Sequence, residues 1–336
     1  MAKILLTGGA GYIGSHIAVC AIHAGHEVVV LDNFSNSQTG VADKLTQITG
    51  KAPVVVKGDV RDRELVKDVL HENNVSDVIH LAGLKSVEES IAEKDRYFDN
   101  NVTGTESLME AMEEVNIFRI VFSSSATVYG DPEYLPLDES HRLQGVNPYA
   151  DTKIAAEQVI EKRCLEDERW NAVSLRYFNP VGAHESGLLG DNPKAQRANL
   201  MPMIARVVMG QRGDLEIYGN DYDTPDGTCL RDYIHVMDLA EGHLSALKFM
   251  DINTGFEIFN LGTGTGISVL EMVNAFQKVT GQQVPFNISS RRDGDVEACY
   301  ANCDKAAEIL EWQATRSLED MCSSTWHWCQ QAEDNN

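Results

Sequence analysis

Short apolar runs alternate with longer amphipathic segments through the first half of the chain. The runs lie at 4–6, 28–31, 54–56, 78–81, 120–122 and 173–176, and helical patterns lie at about 12–24, 61–73, 94–115 and 149–166. Each run is apolar throughout, which is typical of strands covered by helices on both faces. The pattern therefore predicts an α/β fold with a doubly wound parallel sheet.

The regular alternation ends near residue 179. Glycine and proline are frequent from there to about 230, with a predicted helix at 200–209, and clear signals return at 258–261 and 267–279. We predict a first domain over 1–178 and a smaller mixed α/β substrate-binding region over 179–336. Segments near 230–265 are expected to return to the first domain.

Charge and cysteine content exclude several classes of partner. The 336 residues contain 28 Lys and Arg against 51 Asp and Glu, a net charge of −23. Nucleic acids and anionic membranes need a basic surface, so neither is an expected partner. The seven cysteines are odd in number and form no C-x-x-C pair, and the N-terminus has no signal-peptide pattern. These features favour a soluble cytoplasmic protein with reduced thiols, and no cluster predicts a metal site.

A glycine-rich turn lies between the first predicted strand and helix. Gly8, Gly11 and Gly14 have the spacing G-x-x-G-x-x-G. Glycine is needed where backbone N–H groups approach a pyrophosphate at a helix N-terminus and where that helix packs against the strand. The turn predicts a dinucleotide site; the alternative is a tight structural turn.

An acidic residue at the end of the second strand indicates which dinucleotide binds. Asp32 lies 21 residues after Gly11, and no Arg or Lys occurs in 33–39. A carboxylate there accepts both ribose hydroxyls and repels a 2′-phosphate, which favours NAD over NADP. Asp59, after the third strand, is a candidate contact to the adenine or only part of a turn.

A tyrosine and a lysine are spaced for chemistry on one helix face. Tyr149 and Lys153 are four residues apart, and Ser125 ends the fifth strand. A nearby cation stabilises a phenolate by about 3 kcal/mol, so Lys153 and a positively charged nicotinamide are expected to lower the pKa of Tyr149 toward neutrality. Ser125 would share the substrate proton. The alternative is a surface pair and a solvated serine turn.

Seven motifs, in this order, resemble the extended short-chain dehydrogenase/reductase family, in its branch of UDP-glucose (UDP-galactose) 4-epimerases. They are TGGAGYIG (7–14), LDN (31–33), HLAGLKSV (80–87), NNVTGT (100–105), FSSSATVYG (122–130), RYFNP (176–180) and RDYIHV (231–236). The resemblance implies a Rossmann-like domain, tightly bound NAD and a homodimer formed through helices 94–115 and 149–166. It also implies reversible C4 epimerisation of UDP-hexoses through a transient 4-keto sugar, as in galactose metabolism.

The resemblance also implies which residues form the site. Tyr149, Lys153 and Ser125 would be catalytic. The NAD contacts would be Gly8, Gly11, Tyr12, Ile13, Gly14, Asp32, Asn33, Phe34, Ser35, Asn36, Ser37, Asp59, Val60, Leu81, Ala82, Gly83, Lys85, Asn100, Ser125, Tyr149, Lys153 and Phe178. The UDP-sugar contacts would be Lys85, Ser125, Tyr149, Phe178, Asn179, Asn199, Leu200, Leu215, Glu216, Ile217, Tyr218, Arg231, Arg292, Asp295 and Cys299.

The same residues bear on four rival functions. Sugar 4,6-dehydratases of the superfamily carry an acid directly after the serine, whereas Ala126 and Thr127 follow Ser125. Enzymes acting on UDP-glucuronate need a group that tolerates the C6 carboxylate, and no motif for one is present; a plain sugar reductase also belongs to this branch. An NAD sensor without catalysis would typically lack Tyr149 or Lys153.

One position is expected to set the sugar preference. On the resemblance, Cys299 lies over the sugar 2-substituent, where an aromatic residue restricts the enzyme to plain hexoses. A small residue leaves room for an acetamido group, so we predict interconversion of UDP-GlcNAc and UDP-GalNAc as well. A shift of one residue in the alignment would place Tyr300 there and reverse this prediction.

Overall fold

A computed structural model describes residues 1–37, 39–192, 199–292 and 294–334. Its strands are β1 (Lys3–Thr7), β2 (Glu27–Asp32), β3 (Val54–Lys57), β4 (Asp77–His80), β5 (Arg119–Ser125), β6 (Asn171–Tyr177), β7 (Asn179–Val181), β8 (Leu215–Tyr218), β9 (Leu230–Arg231), β10 (Tyr233–His235), β11 (Gly255–Leu261), β12 (Ile267–Ser268), β13 (Phe286–Ser289) and β14 (Ala298–Cys299). Its helices are α1 (Tyr12–His23), α2 (Val41–Thr49), α3 (Arg63–Glu72), α4 (Val87–Ala92), α5 (Lys94–Phe98), α6 (Gly104–Glu114), α7 (Pro148–Glu166), α8 (Leu200–Val208), α9 (Val236–Phe249), α10 (Val269–Thr280), α11 (Asp304–Ile309) and α12 (Leu318–Asp334).

Within these ranges, seven strands form one parallel sheet in the order β11-β6-β5-β4-β1-β2-β3. Successive residues of a strand point to opposite faces. In β1, Ile4 and Leu6 therefore join a core with residues of α1 and α9, whereas Leu5 joins a core with residues of α3, α6 and α7. Both faces are covered, which confirms the predicted doubly wound parallel sheet.

The chain order reverses between β1 and β4, the central strand of the sheet. Ligands of doubly wound sheets bind beyond the carboxyl ends of the strands at such a switch point. The residues that follow β1, β2, β4, β5 and β6 therefore meet at one edge. This edge carries most of the residues named above for the candidate site.

The predicted helical segment at about 94–115 is helical over residues 94–114, but it is interrupted by a π-helical turn. α5 ends at Phe98, a π-helical turn covers Asp99–Thr103, and α6 begins at Gly104. The separate short helix α4 was not predicted. The π-helical turn brings the buried side chain of Asn101 against the loop after β4 and against α7. These contacts are distant in sequence, so helical periodicity carries no sign of them.

Residues after 179 build a second core. It joins α8, β8, α10 and α12 through residues such as Ile204, Ile217, Phe276 and Met321. Two elements from the second half of the chain pack against the first half instead. Helix α9 packs on α1, and strand β11 pairs with β6. The division of the chain into domains at residue 178 stays a prediction. In the described residues, none of the helices combines the length and the apolar composition needed to cross a membrane.

Candidate active site

The glycine-rich turn joins β1 to α1 and leaves no room for side chains. Gly8 has a φ of +67°, and a Cβ there would lie 2.9 Å from the backbone nitrogen of Ala82. A Cβ on Gly14 would lie 2.6 Å from Cα of Gly9. Among the described residues no side chain caps α1, and its first turn holds no acid. The open helix N-terminus and the close backbone packing fit a pyrophosphate.

Asp32, at the end of β2, organises the segment that follows it. Its carboxylate accepts hydrogen bonds from the backbone N–H of Ala10 at 3.0 Å, from that of Phe34 at 2.8 Å and from the hydroxyl of Ser37 at 2.7 Å. The carboxylate therefore ties the glycine-rich turn to residues 33–37. Asn33 in turn donates to Asp59 at 3.2 Å, which places these two predicted contacts side by side.

The loop after β4 faces Lys153, the lysine predicted to be catalytic. A Cβ on Gly83 would lie 3.2 Å from Oδ1 of Asn101 and 3.9 Å from Nζ of Lys153. Asn101 accepts from the backbone N–H of Leu84 at 2.8 Å and donates to its carbonyl at 3.0 Å. Sequence reasoning named Asn100 and missed Asn101, although both belong to the NNVTGT motif. The absent side chain at Gly83 leaves open a cradle beside the ammonium group.

Tyr149, Lys153 and Ser125 come together where β5 ends against α7. Ser125 favours the ionised form of Tyr149 by lowering its pKa, and all three side chains are buried. Nζ of Lys153 donates to the carbonyl of Ser123 at 2.7 Å and lies 4.7 Å from the centre of the Phe122 ring. Asn147 caps α7 by accepting from the N–H of Ala150, so the helix start that positions Tyr149 is fixed by a local contact.

Burial moves both titrating groups away from their charged forms. It raises the pKa of Tyr149 to about 12, and the hydrogen bond with Ser125 opposes this rise. It lowers the pKa of Lys153 to about 8, and the charge of Glu157 opposes this fall. The protein's own groups thus hold Tyr149 as a neutral phenol, and the lowering expected from Lys153 and a charged nicotinamide together stays a prediction. The ammonium of Lys153 contacts Ser123 and Phe122 on β5.

The predicted nucleotide-binding residues of the second region form a cluster of their own. Asp295 accepts from Arg292 at 2.8 Å and lies 3.8 Å from a guanidinium nitrogen of Arg231. The guanidinium of Arg292 is 4.7 Å from the centre of the Tyr218 ring. Asn179 donates to the carbonyl of Asp232, the residue next to Arg231, at 2.8 Å. Two forked cations beside an aromatic ring and a carboxylate suit a nucleoside diphosphate.

Cys299 and Tyr300 face opposite ways. Cys299 pairs with Arg231 across β14 and β9, and it packs on the apolar cluster that holds Ala126 and Phe178. The ring of Tyr300 instead packs against Gly266: a Cβ added to Gly266 would lie only 3.0 Å from Cδ1 of Tyr300. Cys299 is therefore on the side of the strand that faces Ser125 and its neighbours.

Other predicted contacts lie at the same edge with different degrees of access. The side chains of Leu215 and Ile217 are in the second core, so only their backbone faces outward. Glu216 accepts from Ser289 at 2.6 Å. Among the remaining predicted residues, Gly11 precedes α1, and Tyr12 and Ile13 lie in its first turn. The others differ in burial: two are buried (Val60, Phe178), four are partly buried (Leu81, Ala82, Asn100, Leu200) and four are exposed (Ser35, Asn36, Lys85, Asn199).

Asp232 is a residue that sequence reasoning missed. Its buried carboxylate accepts from the backbone N–H of Thr263, Gly264 and Ala301 at 2.8, 3.0 and 3.1 Å. It therefore holds the glycine-rich turn at 262–266 against the chain that follows Cys299. The N–H groups of Thr263 and Gly264 already have a carboxylate partner, so this turn has a structural role.

The parallel sheet, the glycine-rich turn and the Ser125–Tyr149–Lys153 group define an enzyme of the short-chain dehydrogenase/reductase class. The family model for GDP-mannose 4,6 dehydratase matches residues 5–325. The chain is 51% identical to UDP-glucose 4-epimerase of Bacillus subtilis over 325 residues, covering 97% of this chain and 96% of the relative.

Solved structures show the same likeness. UDP-glucose 4-epimerase from Stenotrophomonas maltophila, with bound NAD and formylated UDP-arabinopyranose, is 42% identical, has a TM-score of 0.98 and covers 100% of both chains. The enzyme from Bifidobacterium longum, in complex with NAD+ and UDP, is 45% identical, has a TM-score of 0.95 and covers 99% of this chain and 100% of that one. The chain belongs to the UDP-glucose 4-epimerase family.

Proposed function

We propose that this protein interconverts UDP-glucose and UDP-galactose by reversible epimerisation at C4, with tightly bound NAD. The observation that carries the proposal is the burial of Ser125, Tyr149 and Lys153 together where β5 meets α7, at the sheet edge where the glycine-rich turn opens. Membership of the UDP-glucose 4-epimerase family supports the choice of substrate.

The residues present fit NAD. The backbone of the turn from Gly8 to Gly14 would hold the pyrophosphate, Asp32 the adenosine ribose, and the cradle at Gly83 the nicotinamide ribose near Lys153. When bound, NAD supplies a hydride acceptor and later a hydride donor at C4 of the sugar.

Tyr149 then takes the proton of the 4-hydroxyl, and returns it when the carbonyl is reduced from the other face. Ser125 would share that proton, since its hydroxyl lowers the pKa of Tyr149. Since the phenol has a pKa of about 12 in the protein alone, deprotonation needs additional positive charge at the site. Lys153 supplies one unit of it, and at neutral pH its pKa of about 8 keeps it cationic.

The substrate is held at its other end by the nucleotide. Arg231 and Arg292 would bind the diphosphate, and Asp295, which lies between them, would exchange its bond to Arg292 for one to the uridine ribose. Anchoring only the UDP moiety lets the 4-keto sugar turn over within the site and present its opposite face. A dehydratase would need an acid after Ser125, where Ala126 and Thr127 stand.

The preference for the sugar follows from Cys299. Its small side chain packs near Ala126 and Phe178, while the bulk of Tyr300 lies on the far side of the strand. This arrangement supports activity on UDP-GlcNAc and UDP-GalNAc in addition to the plain hexoses, because an acetamido group adds about three heavy atoms that a tightly packed site would reject.

Assembly and location are further parts of the proposal. A homodimer formed through helices at 94–115 and 149–166 is supported by the family resemblance and by Leu165, which is 81% exposed near the end of α7. A cytoplasmic location is supported by the thiols of Cys229, Cys299 and Cys322, which form no disulfide. Sedimentation velocity tests the dimer, and a single species of 37.1 kDa would contradict it.

Anomeric-proton NMR tests the activity. Purified protein is given UDP-galactose alone, then UDP-GalNAc alone, with no added cofactor. Appearance of the gluco-configured product in both cases is expected. Product from UDP-galactose only would overturn the interpretation of Cys299, and product from neither, with NAD bound, would overturn the proposed substrate.

A further inference from the structure

Helix α7 carries a third charged group in line with its two predicted catalytic side chains. Tyr149, Lys153 and Glu157 follow one another at intervals of four residues, so they lie on one face of the helix. This face is turned to the sheet, and all three side chains are at most 8% exposed. A buried carboxylate one turn beyond the lysine is costly unless it is fully hydrogen-bonded.

Glu157 is held from the neighbouring strand. One carboxylate oxygen accepts from Ser174 at 2.9 Å and from Nε of Arg176 at 3.1 Å, and the other accepts from Nη2 of Arg176 at 2.7 Å. Arg176 also donates to the hydroxyl of Tyr129 and to the carbonyl of Glu139, each at 3.3 Å. The carboxylate is therefore fixed in position by β6 and by the residues that follow β5.

Lys153 has few other charged neighbours. Nζ is bonded to the carbonyl of Ser123 and lies over the Phe122 ring on β5. On the neighbouring elements, His80 on β4 interacts electrostatically with Lys153, and Arg176 and Tyr177 lie on β6 opposite Ser124 and Ser125 of β5. Tyr149 precedes Lys153 by one turn of α7. His80 is neutral, because burial and the charge of Lys153 lower its pKa to about 3. Burial keeps Tyr177 neutral by raising its pKa.

We infer that Glu157 is a positioning residue for the proposed reaction: fixed by Arg176, it keeps Lys153 in its cationic form beside Tyr149. The inference rests on the proposed function, in which that cation stabilises the phenolate. It also explains why a buried ion pair of Arg176 and Glu157 stands beneath the site. Arg176, on β6, offsets the cost of burying the carboxylate, while Glu157 itself is on α7, one turn from Lys153.

Removing the carboxylate makes a measurable change in Lys153. In Glu157→Gln the ammonium loses an attractive charge about one helical turn away, so the midpoint of its titration is expected to fall by about one pH unit. The midpoint is read from protein labelled with ¹³C at Cε of lysine, with Lys153→Met identifying the signal. Glu161→Gln is the matched control, because it removes the same charge from an exposed position one turn further on α7.

Enzyme activity provides the second readout. For UDP-galactose, the alkaline limb of kcat is expected to move to lower pH in Glu157→Gln by the same amount, with KM little changed. A purely structural role would lower activity at all pH values without moving the limb. If the single variant does not fold, Glu157→Gln/Arg176→Met is compared with Arg176→Met, so that the pair again differs by the carboxylate charge alone, and the lower Lys153 midpoint is expected in the double variant.

The outcomes distinguish failure of the role given to Glu157 from failure of the proposed epimerase activity. An unchanged Lys153 midpoint in the variant that folds overturns the inference, and so does an equal shift in Glu161→Gln. Absence of epimerisation by the unmodified protein would overturn the proposed function, while the titration of Lys153 would still decide the role of Glu157.

Discussion

The side-chain amide of Asn101 donates a hydrogen bond to Oγ1 of Thr152 at 2.9 Å, within the helix that carries Tyr149 and Lys153. The same side chain is bonded twice to Leu84, in the loop after β4. One buried amide thus fastens a proposed cofactor loop to the proposed catalytic helix. The π-helical turn at Asp99–Thr103 is the local distortion that presents it, and such turns are frequent at functional sites.

Replacing Asn101 is expected to release this loop. Asn101→Ala removes three hydrogen bonds from a buried position, which lowers the free energy of unfolding by about 1–3 kcal/mol. It is also expected to lower the fraction of purified protein that retains NAD, measured by absorbance after denaturation. Asn287→Ala, at an exposed strand position, is the control. Equal NAD retention in both variants would contradict the role given to Asn101.

Tyr149→Phe tests the proton transfer. Loss of the hydroxyl is expected to reduce the epimerisation rate by a factor of about 10²–10⁴, the usual contribution of a general acid–base group. The ring stays buried, so the free energy of unfolding changes by only about 1 kcal/mol. Rates are followed by NMR on UDP-galactose, and Tyr134→Phe, whose exposed hydroxyl binds Asp138, serves as control. A rate within tenfold of the parent would exclude Tyr149 as the acid–base group.

Cys299→Tyr is expected to abolish turnover of the N-acetylated UDP-sugars and to spare the plain hexoses. The ring would fill the space beside Ala126 and Phe178 that the acetamido group needs. Coupled assays on both substrate pairs give the ratio of the two rates. Cys299→Ala, which adds no bulk, should retain both activities. Equal loss of both activities in the tyrosine variant would show that the position does not discriminate between them.

Gly14→Ala tests the packing of the glycine-rich turn. A Cβ would lie 2.6 Å from Cα of Gly9 and 2.7 Å from the carbonyl oxygen of Gly8, both of them backbone atoms with little freedom to move. Overpacking of this kind costs about 1–3 kcal/mol of stability and should also weaken NAD binding. Gly213→Ala introduces the same methyl where nothing lies within 4 Å and should leave both properties unchanged. Urea unfolding and NAD content measure the two effects.

Acid should destabilise the fold through buried histidines. His16 is fully buried, and burial lowers its pKa from 6.5 to about 3. Between these values the unfolded chain binds more protons than the folded chain. The contribution of His16 is therefore complete above pH 6.5 and is lost as the pH falls, by up to about 1.4 kcal/mol per pH unit.

His16→Asn is expected to reduce the pH dependence of the unfolding free energy by about one proton in this window. The asparagine amide can still donate to the carbonyl of Tyr12, which Nδ1 of His16 contacts at 2.6 Å. Urea unfolding between pH 4 and pH 7 measures the slope. His71→Asn, at an exposed position on α3, is the control. If His16→Asn has the same slope as the parent protein, the pH dependence does not come from His16.

Much of the site was predictable because it is local in sequence. The spacing of Gly8, Gly11 and Gly14 and the interval from Tyr149 to Lys153 define geometry within one turn or one helix. The residues that join these pieces were not predictable in the same way. Asn101, Asp232 and the pair of Glu157 and Arg176 act across strands and loops, and their polar character alone does not distinguish them from surface residues.

The amino-acid sequence by itself determined the parallel sheet, the dinucleotide turn and the side chains available for proton transfer, because each depends on periodicity or spacing over a few residues. Only the tertiary structure decided that Cys299 and not Tyr300 packs toward Phe178, since side chains alternate across a strand and register is set by its partner. It also decided that burial holds Tyr149 as a neutral phenol, because desolvation depends on everything packed around the hydroxyl.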